Sequence, residues 1–123
     1  AAFLHTPDMA LALAAADLVV SRAGASVLGE YPAVGVPSVL VPLPFGGSQQ
    51  RPNAEHLAGA GAAVVLENSV LLAGGLLPVL ESLRSAPERL DAMRASVRAL
   101  ARPGAAGAVA GELGRLALES GRW

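Results

Sequence analysis

DLVVSRAGASVLGE, residues 17–30, passes from a β-branched apolar run through small residues into a helix-like stretch. Residues 18–21 read as a buried strand, and the residues from about 25 to Gly35 as a helix that Pro32 kinks or shortens. The turn between them is nearly uncharged, with small residues after Arg22. Gly24 and Ala25 let a ligand come close to the backbone N–H groups that open the helix, and the helix dipole favours negative charge there. Phosphate is the anion that suits such a turn.

Outward from this stretch the chain alternates. Thr6-Pro7-Asp8 offers a hydroxyl cap, proline at the first helical position and an acid in the first turn, which predicts a helix over 7–15. PSVLVPLP, residues 37–44, reads as a strand buried on both faces. SQQRPNAEHLAGAG, residues 48–61, reads as a helix with Pro52 in its first turn and glycines closing it. AAVVL, residues 62–66, is a third strand. Asn68 or Ser69 is expected to cap a helix running towards Ser85, and PERLDAMRASVRALA and GAVAGELGRLALES read as further helices. Helices alternating with apolar strands predict an α/β fold: a Rossmann-like parallel sheet with flanking helices and a helical C-terminal tail. The expected division is an α/β unit over 1–85 and C-terminal helices over 86–123. Three strands are few for such a unit, and Phe3-Leu4 reads as the stub of a strand whose neighbours lie upstream, so a fragment is expected.

Composition excludes several classes of function. A chain of 123 residues that is 53% hydrophobic can bury one modest core. Its net charge is −1, and all nine basic residues are Arg, seven of them beyond residue 80, so no basic face for nucleic acid is expected. The arginines from Arg84 to Arg102 recur at helical intervals and read as a solvated face. Without Cys there is no disulfide, cysteine zinc site or thiol nucleophile. His5 and His56 have no partner at ligand spacing, so no metal site is expected. No apolar run reaches the ~18 residues of a membrane span, and the start lacks the basic region of a secretory signal. This predicts a cytoplasmic location, with peripheral membrane contact left open.

Ligands of open parallel sheets sit at the carboxyl ends of the strands. That places FLHTP (3–7), SRAGAS (21–26) and PLPFGGSQQ (42–50) on one rim. Glu30, six residues after Gly24, could turn its carboxylate to a sugar's hydroxyls, and Gln49 and Gln50 offer donors and acceptors to uncharged polar groups. Blander readings stand beside these. Gly24-Ala25 could be only a tight turn, Glu30 a solvated acid, the glutamines a helix cap, and Asn53 a residue bonded to its own loop.

Taken together, ADLVVSRAGASVLGE (16–30), GVPSVLVPLP (35–44) and QQRPNAEHLAGAGAAVVL (49–66) resemble the C-terminal donor-binding domain of the MurG-type N-acetylglucosaminyltransferases, glycosyltransferase family 28, of the two-domain GT-B fold. The resemblance runs from about residue 3 to 66 and fades in the helical tail. Its marks are the R-[SA]-G-A segment, the acid six residues after its glycine, and the later Q-[TQ]-x-x-N-A segment.

The resemblance implies a site for UDP-N-acetylglucosamine (UDP-GlcNAc) within 1–85. Gly24, Ala25 and Ser26 would bind the diphosphate, Glu30 the ribose, Phe3 and Leu4 the uracil, and Gln49 and Gln50 the GlcNAc hydroxyls. Arg22 and Asn53 would support these from behind, Asn53 by holding the glutamine loop. It further implies inverting GlcNAc transfer to undecaprenyl-diphospho-muramoylpentapeptide in bacterial peptidoglycan synthesis, with no tightly bound metal or cofactor. The acceptor-binding half, the glycine-rich loops and the general base would lie upstream, leaving no catalytic residue here. The implied location is peripheral, on the inner face of the plasma membrane. Two departures from the family pattern stand out: PFGGSQQ lacks a charged or histidine-bearing loop before the glutamines, and Pro32 replaces a plain helix former. Two alternatives remain at this stage. One is the donor-binding domain of another GT-B enzyme with a glycolipid, antibiotic or dolichol-linked acceptor; the other is a non-catalytic nucleotide-sugar-like binding module.

Overall fold

The computed structural model describes residues 6–44 and 50–121. Three strands, β1 (Val19–Ser21), β2 (Ser38–Leu40) and β3 (Ala63–Val65), pair in parallel in the order β1-β2-β3. Val19, Ser38 and Ala63 are level at one end of the sheet, and Ser21, Leu40 and Val65 at the other. Helix α1 (Met9–Ala14) precedes β1, α2 (Val27–Val34) joins β1 to β2, and α3 (Gln50–Gly59) joins β2 to β3. Beyond β3 come α4 (Asn68–Leu72), α5 (Leu76–Arg84), α6 (Pro87–Ala99) and α7 (Ala105–Ser120). The expected Rossmann-like parallel sheet and helical tail are therefore present.

The continuous apolar run of β2 has a physical cause. Successive side chains of a strand point to opposite faces, and here both faces are covered. Leu40 joins Val27, Tyr31, Ala54, Leu57 and Val97 in one buried cluster, while Val39 and Val41 join Leu66, Leu83 and Met93 in the other. Helix α6 contributes to both, through Val97 and Met93.

Three local expectations need correction. The first helix starts at Met9 rather than Pro7, because the Thr6 hydroxyl accepts a hydrogen bond from the Asp8 amide (3.2 Å) and closes a local turn ahead of the helix. The helix expected to run from Asn68 towards Ser85 is two helices, α4 and α5. Its break is the pair Gly74-Gly75: Gly74 takes a left-handed φ of +84°, and the Gly75 amide donates to the Val70 carbonyl (2.8 Å), which closes α4. Neither Asn68 nor Ser69 caps that helix. Glu67 occupies the cap position, and no side chain bonds the first amides. Pro32 sits inside α2, which ends beside Gly35 as the sequence predicts. It removes the bond to the Leu28 carbonyl, yet the helix continues to Val34 and closes on Gly35, whose φ is +76°.

Candidate functional site at the strand-end rim

Because Ser21, Leu40 and Val65 are level, the segments that follow them, 22–26, 41–44 and 66–68, share one rim of the sheet. Arg22 ties all three together. From the end of β1 its guanidinium donates to the Val41 carbonyl beyond β2 (3.2 Å) and to Asn68 Oδ1 beyond β3 (2.8 Å). Next to Asn68, Glu67 accepts two hydrogen bonds from Arg51 in the first turn of α3 (2.8 and 2.7 Å). The Glu67 carboxylate, through its hydrogen bond and its charge, and then Glu55, raise the Arg51 pKa; this pair is half-exposed and serves geometry more than stability. Residues 67 and 68 thus fasten the last turn of the rim to the first and to the start of α3.

The turn that leads into α2 is polarised in its hydrogen bonding. The carbonyl of Ser21 accepts from the Val41 amide (2.9 Å), and that of Arg22 from Ser21 Oγ (2.9 Å), which itself accepts from the Tyr31 hydroxyl (2.8 Å). Ala23 accepts from Asn53 Nδ2 (3.0 Å), Gly24 from the Val27 amide (3.3 Å), Ala25 from Leu28 (3.2 Å) and Ser26 from Glu30 (2.9 Å). Every carbonyl from 21 to 26 is taken. By contrast, the amides of Gly24, Ala25 and Ser26 donate to no acceptor among the described residues. A Cβ placed on Gly24 would meet nothing within 4 Å, so no described part of the protein crowds that position. The unpaired backbone groups of the turn are all donors, at the N-terminus of an eight-residue helix, which is the electrostatic form of an anion receptor.

Glu30 is exposed in the first turn of α2 and borders a small hollow of about 180 Å³ against Met9, Ala10 and Leu13 of α1. Gln50 begins α3, and its Oε1 accepts from the Leu43 amide (3.0 Å), pinning the segment after β2. Asn53 donates from Nδ2 to the Ala23 carbonyl in the turn after β1. Phe3, Leu4, His5 and Gln49 lie outside the described residues, and His56 is exposed on α3. Among the described residues no group of three or more His, Asp or Glu is placed to hold a metal ion. Sequence reasoning had no signal for Tyr31, Arg51, Glu67 or Asn68, whose roles depend on partners 10 to 46 residues away.

The fold and its rim define the class: a Rossmann-like parallel α/β unit whose ligand edge lies at the carboxyl ends of its strands. Residues 2–107 match the glycosyltransferase family 28 C-terminal domain, and the chain belongs to that family. It is 47% identical over 105 residues to the UDP-N-acetylglucosamine--N-acetylmuramyl-(pentapeptide) pyrophosphoryl-undecaprenol N-acetylglucosamine transferase of Roseiflexus sp., covering 82% of this chain and 24% of that protein. It is 45% identical over 116 residues to the transferase of the same name from Alkalilimnicola ehrlichii, covering 94% of this chain and 31% of the relative. The crystal structure of Acinetobacter baumannii MurG superposes with a TM-score of 0.69 at 34% identity, over 85% of this chain and 30% of that one. The chain thus spans about a quarter to a third of the length of these relatives.

Proposed function

We propose that this chain is the donor-binding part of an inverting glycosyltransferase that moves GlcNAc from UDP-GlcNAc to undecaprenyl-diphospho-muramoylpentapeptide. The observation that carries this reading is the turn from 21 to 26, with every carbonyl occupied and the amides of Gly24, Ala25 and Ser26 left over at the start of α2. Its support from outside the chain is the name shared by the curated relatives.

In the proposed reaction the bond between the sugar's anomeric carbon and the UDP oxygen breaks, and negative charge grows on the departing diphosphate. Donors already aimed at that charge need no reorganisation as it forms, and this is the chain's contribution to rate. Gly24, Ala25 and Ser26 hold the diphosphate, and Glu30 accepts hydrogen bonds from the ribose hydroxyls. Phe3 and Leu4 receive the uracil, and Gln49 and Gln50 meet the GlcNAc hydroxyls. Arg22 keeps the three strand ends in register behind the site. No metal takes part in holding the donor. The acceptor, and the base that activates its hydroxyl, belong to a separate N-terminal domain; that domain brings the protein to the cytoplasmic face of the membrane. No described helix is itself long and apolar enough to cross a membrane.

Calorimetric titration of the natural full-length protein tests the assignment. UDP binds saturably, and Glu30→Gln weakens it about tenfold through loss of charge-assisted hydrogen bonds. With 2′,3′-dideoxy-UDP the wild type and the variant bind alike, because the hydroxyls that Glu30 reads are gone. Equal affinity of both proteins for UDP itself would remove Glu30 from the site.

A further inference from the structure

The Ala23–Gly24 peptide is the link of the anion-receiving turn that leads into a glycine. Flipping a peptide plane exchanges the directions of its C=O and N–H by rotating ψ of the first residue and φ of the second. A side chain at the second position resists this, since it disfavours positive φ; glycine does not. Gly24 therefore lets the plane turn over cheaply, and the turned plane would present the Ala23 carbonyl where the Gly24 N–H now stands. An oxygen there repels an anion.

One contact opposes the flip. Asn53, the fourth residue of α3, donates from Nδ2 to the Ala23 carbonyl at 3.0 Å. The described peptides are all trans, so C=O and N–H of this plane point in opposite directions. With the carbonyl drawn towards α3, the Gly24 N–H faces away from it and meets no described acceptor. The plane before it is held separately, by Ser21 Oγ on the Arg22 carbonyl and the Tyr31 hydroxyl behind Ser21.

We propose that Asn53 is a positioning residue for diphosphate recognition, acting through the Ala23 carbonyl to keep the Gly24 amide turned towards the ligand. This rests on the reading of that turn as the diphosphate site. It separates Asn53 in role from the glutamines just before it, although all lie in one segment.

The test uses the natural full-length protein labelled with 15N-glycine. In the wild type, UDP shifts the Gly24 amide resonance strongly, whereas uridine, which lacks phosphate, does not. In Asn53→Ala the UDP-induced shift is lost and the dissociation constant for UDP rises about tenfold, while that for uridine changes less than twofold. A purely structural role, loosening α3, would weaken both ligands alike. Asn53→Leu, of similar size and shape but with no donor, gives the same pattern and serves if the alanine variant fails to fold. A Gly24 amide that still shifts with UDP in either variant, or equal losses for UDP and uridine, would overturn the positioning role. A wild-type Gly24 amide that ignores UDP would overturn the diphosphate reading beneath it.

Discussion

Hydrogen bonding at single residues separates the two ends of the sheet. At the strand-end rim, Arg22, Asn53 and Tyr31 each place a polar group on a defined partner. At the opposite end Ser38, the first residue of β2, is 1% exposed, and its hydroxyl has no partner among the described residues. A buried hydroxyl without a partner has lost its hydration and regained nothing, so its removal relieves the fold. Ser38→Ala is accordingly expected to leave the urea midpoint unchanged or to raise stability by up to about 1 kcal/mol. A loss of similar size would mean that the hydroxyl has found a partner in solution. Such residue-level facts were only half legible in the sequence. The small residues of SRAGAS announce an open turn because their chemistry is local. That Asn53 bonds Ala23, 30 residues earlier, follows from how α3 packs on β3 and α2, and no local pattern encodes it.

The elements were legible wherever a periodic run ended in strong punctuation. Strand β2 lies between prolines, α2 stops at Gly35, and the third apolar run follows the glycines after α3; each type and order was readable. Residues 68–85 form two helices rather than the one their apolar run predicts, because the glycine pair inside that run closes α4. Were 68–85 one continuous helix, Gly75→Ala would stabilise the chain by about 1 kcal/mol. In the folded protein, however, a Cβ on Gly75 would run into the Val70 side chain and lie 2.8 Å from the Val70 carbonyl oxygen, which is backbone and cannot swing away. The substitution is therefore expected to destabilise by about 1–3 kcal/mol, the usual cost of overpacking, and to lower the thermal midpoint. A raised midpoint would mean that α4 and α5 can fuse into one helix.

At the scale of the whole molecule, surface area is the informative quantity. The chain exposes 8030 Å², whereas a compact monomer of 12.3 kDa should expose about 6,100 Å². Helix α7 buries none of its sixteen residues and leaves Val109, Leu113 and Leu116 open along its length. What organises α7 is internal: Arg115 pairs with Glu112 three residues before it and Glu119 four residues after, and this guanidinium holds the Glu112 carboxyl below its ordinary range. Exposed pairs of this kind order a helix without fastening it to a core. The two buried clusters take their last member from α6, at Val97 and Met93. For residues 1–123 studied as they stand, ending the chain at Gly104 should therefore cost less than about 1 kcal/mol of unfolding free energy. The dependence on urea should also be nearly unchanged, because that slope follows the area newly exposed and α7 hides almost none. Far-ultraviolet circular dichroism would lose a helix's worth of signal while the unfolding midpoint stayed in place. A midpoint that fell together with the slope would show α7 packed against the rest of the chain in solution.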